Sequence, residues 1–274
     1  MTRTFAIANQ KGGVGKTTTV VSLATAMSAS GRRVLAVDLD PQACLSFSLG
    51  LDPDSLPLSI HDVLLERVSA RMVIVTTGEG PDVMPATIDL AGAEAVLLTR
   101  TSREYALKRA LVDVAPGYDV VLIDCAPTLG VLTINALTAA DEVIIPLQCE
   151  TLSHRGVAQL LDTVQDVRRL TNPDLVVRGA LPTLFDPRTN HARAVLADVG
   201  QRYGLEVLEP AIPRSVRFAE APAVGQSIMQ TARDHPGATA YRELASRLLG
   251  EDADDRRLID LATPDLVGPA GERA

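Results

Sequence analysis

The chain of 274 residues is 46% apolar and 22% charged, with a formal net charge of −8, a balance in which burial, not disorder, dominates and which predicts an extensive core. That acidity excludes a protein basic over its whole surface, so any contact with nucleic acid must come from a local patch. No run approaches the roughly 18 uninterrupted apolar residues of a membrane span, and residues 1–8 lead into a strand pattern with no signal-peptide profile, so the expected location is the cytoplasm.

In chain order, residues 4–8 read as a strand, followed by a Gly-rich turn and a helix over 17–30, where Val20, Leu23, Ala24 and Met27 recur at helical spacing. Gly31 stops that helix, and residues 33–38 form the next apolar strand, with Asp38 at its carboxyl end. Residues 50–60 and 76–89, rich in Pro and Gly, read as surface excursions around a short helix at 60–67. Buried-type strands follow at 120–124, 142–146 and 175–181, separated by helices near 104–114, 131–139 and 153–170. Helix 237–249 closes the pattern. Such alternation predicts an α/β fold, a doubly wound, mainly parallel sheet with helices on both faces. A single domain is expected over residues 1–250, with a charged, weakly patterned and mobile tail at 251–274.

The chemistry concentrates between the first strand and helix. The run Lys11-Gly12-Gly13-Val14-Gly15-Lys16-Thr17-Thr18 leaves a strand and opens a helix, so consecutive backbone N–H groups can face a phosphate. In loops ending Gly-Lys-Thr, the lysine, here Lys16, reaches the β and γ phosphates, and the threonine, here Thr17, ligates Mg²⁺. Of 26 basic residues only Lys11, Lys16 and Lys108 are lysines. Two of the three lie in this loop, which suggests that a compact ammonium is required there rather than a planar guanidinium. Cys44, Cys125 and Cys149 show neither paired-ligand spacing nor a disulfide framework and read as reduced, small apolar residues. His154 and His191 have no partner pattern for metal or nucleophilic work. Asp52-Pro53-Asp54 lacks the spacing of a calcium loop and reads as a turn.

An ordinary phosphate loop has glycine five residues before the Gly of Gly-Lys-Thr, where this chain has Gln10 followed by Lys11. With that lysine the sequence resembles the ParA/MinD family of deviant Walker A P-loop ATPases, over about residues 4–249. It is most similar to the short ParA/Soj chromosome-partitioning type, which lacks an N-terminal helix-turn-helix. The resemblance to that branch rests on Leu90 to Glu94, Ile134 to Asp141, Pro146 to Glu150 and Ile212 to Arg217. Asp38-Leu39-Asp40-Pro41-Gln42 matches the second acidic motif of the family, and Leu122-Ile123-Asp124 the end of its Walker B strand. Ala43-Cys44 stands where Gly-Asn is frequent, and Ala126-Pro127-Thr128-Leu129-Gly130 where Pro-Pro-Ser-Leu-Gly is frequent.

The resemblance implies ATP and Mg²⁺ as ligands and residue roles at the matching positions. Lys11 would reach the nucleotide of a second subunit in an ATP-dependent homodimer. Gly12, Gly13, Val14, Gly15, Lys16, Thr17, Thr18 and Pro213 would contact nucleotide, Asp40 would position the attacking water, and Asp38 and Asp124 would hold Mg²⁺ through its waters. Arg188 and Arg217 would bind double-stranded DNA without reading sequence. Their alternative is a surface ion pair with Asp186 or Glu220, because residues 151–250 carry twelve arginines against ten acids and form no basic stripe. A ParB-like protein would stimulate hydrolysis, and the ATPase would associate with the nucleoid to position chromosome, plasmid or other cargo. Two other readings use the same loop: a MinD-like membrane switch, disfavoured by the acidic tail after Gly250, and a metabolic enzyme on the same fold.

Overall fold

The computed structural model describes residues 1–77, 80–149, 153–186 and 188–250. The predicted tail at 251–274 and Glu150 of the 146–150 motif lie outside the described residues, as do the side chains of His154 and His191. Strand β1 (Arg3–Ile7) runs through the Gly-rich loop into α1 (Lys16–Ala29) and on to β2 (Val34–Leu39), which completes the first βαβ unit. Two short helices follow, α2 (Cys44–Ser48) and α3 (Ile60–Leu64), then β3 (Val75–Thr76), β4 (Asp82–Met84), α4 (Leu90–Leu97) and α5 (Ala106–Leu111). The second half alternates regularly: β5 (Val120–Cys125), α6 (Val131–Ala139), β6 (Glu142–Gln148), α7 (Ser153–Leu170), β7 (Val176–Thr183) and α8 (Asn190–Tyr203). Three helices end the described chain, α9 (Arg217–Glu220), α10 (Ile228–Thr231) and α11 (Pro236–Leu249).

The seven strands form one sheet in the order β3-β4-β2-β5-β1-β6-β7, parallel throughout except for β3 against β4. Side chains of each central strand alternate between two cores, as the period of two demands. Phe5 and Ile7 of β1, Val34 and Ala36 of β2, and Val120 and Leu122 of β5 face α1 and α11. Ala6, Leu35, Val37, Val121 and Ile123 face the layer that contains α3 to α8. Both faces are covered, which is why these strands read as continuous apolar runs. Among the described residues no helix is long and apolar enough to cross a membrane.

The structure departs from the sequence reading in several places. Residues 76–89 are not wholly an excursion, because Asp82–Met84 form a buried parallel strand beside β2; three residues ahead of a proline are too few to show a pattern. The expected helix at 60–67 stops at Leu64, and that at 104–114 is a 3₁₀ turn (Arg103–Tyr105) continuing into α5. Helices α4 and α8 were not expected.

Helix α11 anchors α1 through a buried hydrogen bond of 2.9 Å between the hydroxyls of Tyr241 and Thr19, and Phe218 of α9 meets the Tyr241 ring edge to face at 5.9 Å. A second close contact joins the far end of α2 to the turn after α9. Gly50 and Gly225 lie back to back, both with positive φ, and a Cβ on Gly225 would fall 2.8 Å from the Gly50 Cα. The substitution Gly225→Ala combines left-handed strain with overpacking and is expected to destabilise the fold by about 2–4 kcal/mol, read as a lower urea midpoint; an unchanged midpoint would show that the two turns can part freely.

Candidate phosphate-binding site

Every parallel strand of the sheet ends at one edge, and the loops there converge on the turn between β1 and α1. Gly13 and Gly15 take φ values of +72° and +83°, and Gly15 caps α1 in the left-handed region with no side-chain cap. The first N–H groups of α1 therefore open toward the crevice rather than onto a capping side chain. The Thr183 hydroxyl at the end of β7 donates to the Val14 carbonyl at 2.7 Å, which fixes the loop against the sheet.

The two loop lysines occupy different environments. Lys16 is buried, with its ammonium donating to the Lys11 carbonyl at 3.1 Å. Burial lowers its pKa, and the negative charge of Asp124 works against that shift. Lys11 is half-buried, with its ammonium 3.4 Å from the Gln148 Oε1.

Asp38 and Asp124 are register partners on the adjacent strands β2 and β5, and both are fully buried. Asp38 accepts hydrogen bonds from the N–H and hydroxyl of Ser46 at 2.8 and 2.7 Å and from the Asp40 N–H at 3.2 Å, yet burial still pushes its pKa up to about 6. Both oxygens of Asp124 lack a hydrogen-bond donor. Desolvation, and then the nearby Asp38 charge, raise its pKa well above the usual carboxylate range; the Thr17 hydroxyl opposes that rise without forming a hydrogen bond of ordinary geometry. An orphaned buried carboxylate beside a second acid and a helix-start threonine suits a cation. Among the described residues no group of three His, Cys, Asp or Glu could enclose a metal by itself. The set therefore fits Mg²⁺, which keeps several waters and is held by one or two carboxylates together with substrate phosphates.

Asp40 follows at the mouth of the crevice, half-buried, with its Oδ1 accepting from the Gln42 N–H at 2.9 Å. Ala43 holds φ at +51°, a left-handed conformation that a residue with a Cβ tolerates poorly. Pro213 is brought to the same edge by a bridge to Phe185, just beyond β7. Arg188 and Arg217 are exposed, and each is paired locally. Arg188 forms a two-pronged pair with Asp186, with bonds of 3.0 and 2.8 Å, and Arg217 meets Glu220 at 2.9 Å. Both pairs are the alternatives that the charge balance raised, and at such exposure they are weak enough for a phosphate to compete. Arg214 is an addition: its N–H donates to the Phe185 carbonyl, and its charge joins the stronger hold of Arg188 in lowering the Asp186 pKa to about 2. It stood in the 212–217 run without being singled out. Ser46 and Thr183 were missed as well, because nothing local marks a serine eight residues after an acid, or a strand-end threonine, as part of a site.

Known proteins place this geometry in a family. A family model described as an AAA domain matches residues 2–177. The sporulation initiation inhibitor protein Soj of Bacillus subtilis is 45% identical over 249 residues, covering 90% of this chain and 98% of Soj. The chromosome partitioning protein ParA of Caulobacter vibrioides is 42% identical over 255 residues, covering 92% and 96%. The chain belongs to the ParA/MinD family of P-loop ATPases. Crystal structures described as cobyrinic acid a,c-diamide synthase of Mycobacterium smegmatis, one with ADP and magnesium and one with an ATP analog and magnesium, superpose with a TM-score of 0.83 at 57% identity. They cover 93% of this chain and 97% and 98% of their own. The relatives and solved structures that this ParA/MinD family member resembles thus bear both partitioning and biosynthetic names.

The buried acids make stability depend on pH. A carboxyl raised from 3.8 to about 6 on folding leaves the fold unpenalised below the unfolded value and carries its full penalty above the folded one, so ligand-free protein should lose stability as pH rises from about 4 to about 6. Asp124→Asn removes a buried carboxyl that has no donor and should raise the unfolding midpoint of the ligand-free protein at pH 7.5 while abolishing the gain on adding Mg²⁺ with nucleotide. Thermal unfolding with and without those ligands measures both; a variant less stable than wild type without Mg²⁺ would count against the buried-charge account.

Proposed function

We propose that the protein is a Mg²⁺-dependent ATPase of the ParA type, which dimerises around ATP, binds duplex DNA without sequence preference in that state, and is reset by hydrolysis on contact with a ParB-like partner. The observation that carries this reading is the division of labour between the two loop lysines. Lys16 is buried within its own loop, whereas Lys11 is half-buried beside Gln148 and is the lysine left to meet the phosphates of a second subunit.

In this scheme the first N–H groups of α1, with Gly12 to Thr18 of the loop, cradle the phosphates, and Lys16 neutralises charge on the β and γ groups. Pro213 closes one side of the nucleotide at the end of β7. Thr17, Asp38 and Asp124 would hold Mg²⁺, directly or through water, and the ion would supply positive charge against the phosphates. Asp40 orients a water toward the γ phosphorus: an oxygen–phosphorus bond forms, the bond to the ADP oxygen breaks, and the water proton leaves to phosphate or solvent. Lys11 of the partner stabilises the charge that develops. Arg188 and Arg217, with Arg214 beside them, would exchange their surface carboxylates for DNA phosphates, in a manner that weakens steeply with salt. By reciprocity of coupling, DNA would also favour the ATP dimer. The setting is the cytoplasm, on the nucleoid.

A second reading follows from the biosynthetic name carried by the 57% identical structures. An amide synthase that draws nitrogen from glutamine needs an ionisable nucleophilic thiol. Here burial pushes Cys149 up to about 11 and Cys125 higher still, and burial followed by the nearby acids also raises Cys44. The partitioning reading is preferred because the Soj and ParA relatives match this chain over 98% and 96% of their own length.

Binding to non-specific duplex DNA, measured with ATP, with ADP and without nucleotide across a salt series, separates the two. Wild type and Asp40→Ala should bind only with ATP, while Lys16→Ala and the double variant Arg188→Glu/Arg217→Glu should lose at least about tenfold in affinity. Absence of ATP-dependent DNA binding in every form would remove the partitioning role and leave the nucleotide site in need of another purpose.

A further inference from the structure

We propose that Asn9 is the positioning residue for Lys11, and that helix α7 bears on the phosphate loop through its carboxamide; this rests on the role given above to Lys11. The last backbone rung between β1 and β6 is the Ala8 N–H donating to the Ile144 carbonyl at 3.1 Å. The next carbonyl of β6 on that edge, that of Pro146, is met by a side chain: the Asn9 Nδ2 donates to it at 2.7 Å. Asn9 thereby extends the ladder by one rung while its own backbone turns out of the sheet. The other end of the same carboxamide is also engaged, because its Oδ1 accepts from the Lys11 N–H at 3.0 Å. One buried group, 3% exposed, therefore pins the loop to the sheet on one side and sets the start of the Lys11 backbone on the other.

The chemistry of residue 9 is narrowly specified. A carboxamide of this length supplies a donor and an acceptor about one bond angle apart. Aspartate could still accept from Lys11 but would turn a carboxylate oxygen on the Pro146 carbonyl, serine is too short to span both, and alanine would leave a buried carbonyl without its donor.

Helix α7 approaches the carboxamide from behind. A Cβ on Gly156 would lie 3.3 Å from the Asn9 Oδ1, so the helix comes this near because glycine stands in its second turn. Asn9, Lys11, Pro127, Arg155 and Gly156 all line one groove of about 500 Å³ beside the loop. A shift of α7 toward the loop would press on the group that places Lys11.

The arginine-rich composition allows a direct test. With Lys11, Lys16 and Lys108 the only lysines, acylation by N-hydroxysuccinimide acetate followed by mass spectrometry reads Lys11 against the exposed Lys108 as an internal reference. In Asn9→Ala the ratio of Lys11 to Lys108 labelling in nucleotide-free protein should rise about threefold or more, and kcat for ATP hydrolysis should fall about tenfold with KM within about threefold of wild type. Gly156→Ala leaves every bond of Asn9 in place but crowds it, so it should move both readouts in the same direction by less. It also decides the matter if Asn9→Ala does not fold. Unchanged Lys11 labelling in the folded variants would overturn the proposal, as would raised labelling with unaltered kcat in a background where Lys11→Ala abolishes hydrolysis. If wild type itself does not hydrolyse ATP, the proposed function falls, and the labelling ratio still decides whether Asn9 places Lys11.

Discussion

Asp38 and Asp124 are register partners on neighbouring parallel strands, both fully buried, and the fold leaves Asp124 without a donor to either oxygen. Two buried acids at that spacing cannot both be comfortably ionised, and the ligand-free protein bears the strain as raised pKa values. The surrounding features complement this charge. Lys16 is drawn inward beside Asp124 despite the burial that opposes its own ionisation, and Ser46 turns α2 so that both its N–H and hydroxyl meet Asp38. A hydrated divalent cation with phosphates would complete the balance, which is the sense in which the site is built for a ligand it must recruit.

The same arrangement places the chemistry at the ends of stiff elements. Asp38 and Asp124 are fixed by strands β2 and β5, the loop is held by Thr183 from β7 and by Asn9 on Pro146 of β6, and α1 is anchored behind it by Tyr241. Helix α2 leaves the Asp38–Asp40 segment and ends against the turn that follows α9 at the Gly50–Gly225 contact. The Asp38–Asp40 segment and the helix that begins at Arg217 are thus joined by one short packed path. A physical path of this kind is what coupling between two sites requires, although coupling itself is a free energy and not a contact.

Length and continuity decided which elements were legible in the chain. The runs at 120–124 and 142–146 are apolar because both faces of the sheet are covered, so burial itself writes them into the sequence. The three residues of β4 have no such length, and α4 and α8 carry no start or stop signal strong enough to stand out from their surroundings. The loop from Lys11 to Thr18 was readable for a related reason: its glycines, lysine and threonine serve a function that depends on adjacent backbone groups, and adjacency survives in one dimension.

What the sequence by itself determined is therefore the α/β alternation, the phosphate loop and the family to which its lysine pattern points, all of them properties of contiguous residues. Only the tertiary structure decided that Asp38 and Asp124 are paired and buried, that Asp124 has no donor, and that Ser46, Thr183 and Asn9 belong to the site. It also decided that Arg188 and Arg217 meet the carboxylates of Asp186 and Glu220, which the sequence offered only as an alternative to DNA contact. These outcomes depend on which strands become neighbours and how closely helices approach them, and the spacing of residues along the chain carries no direct record of either.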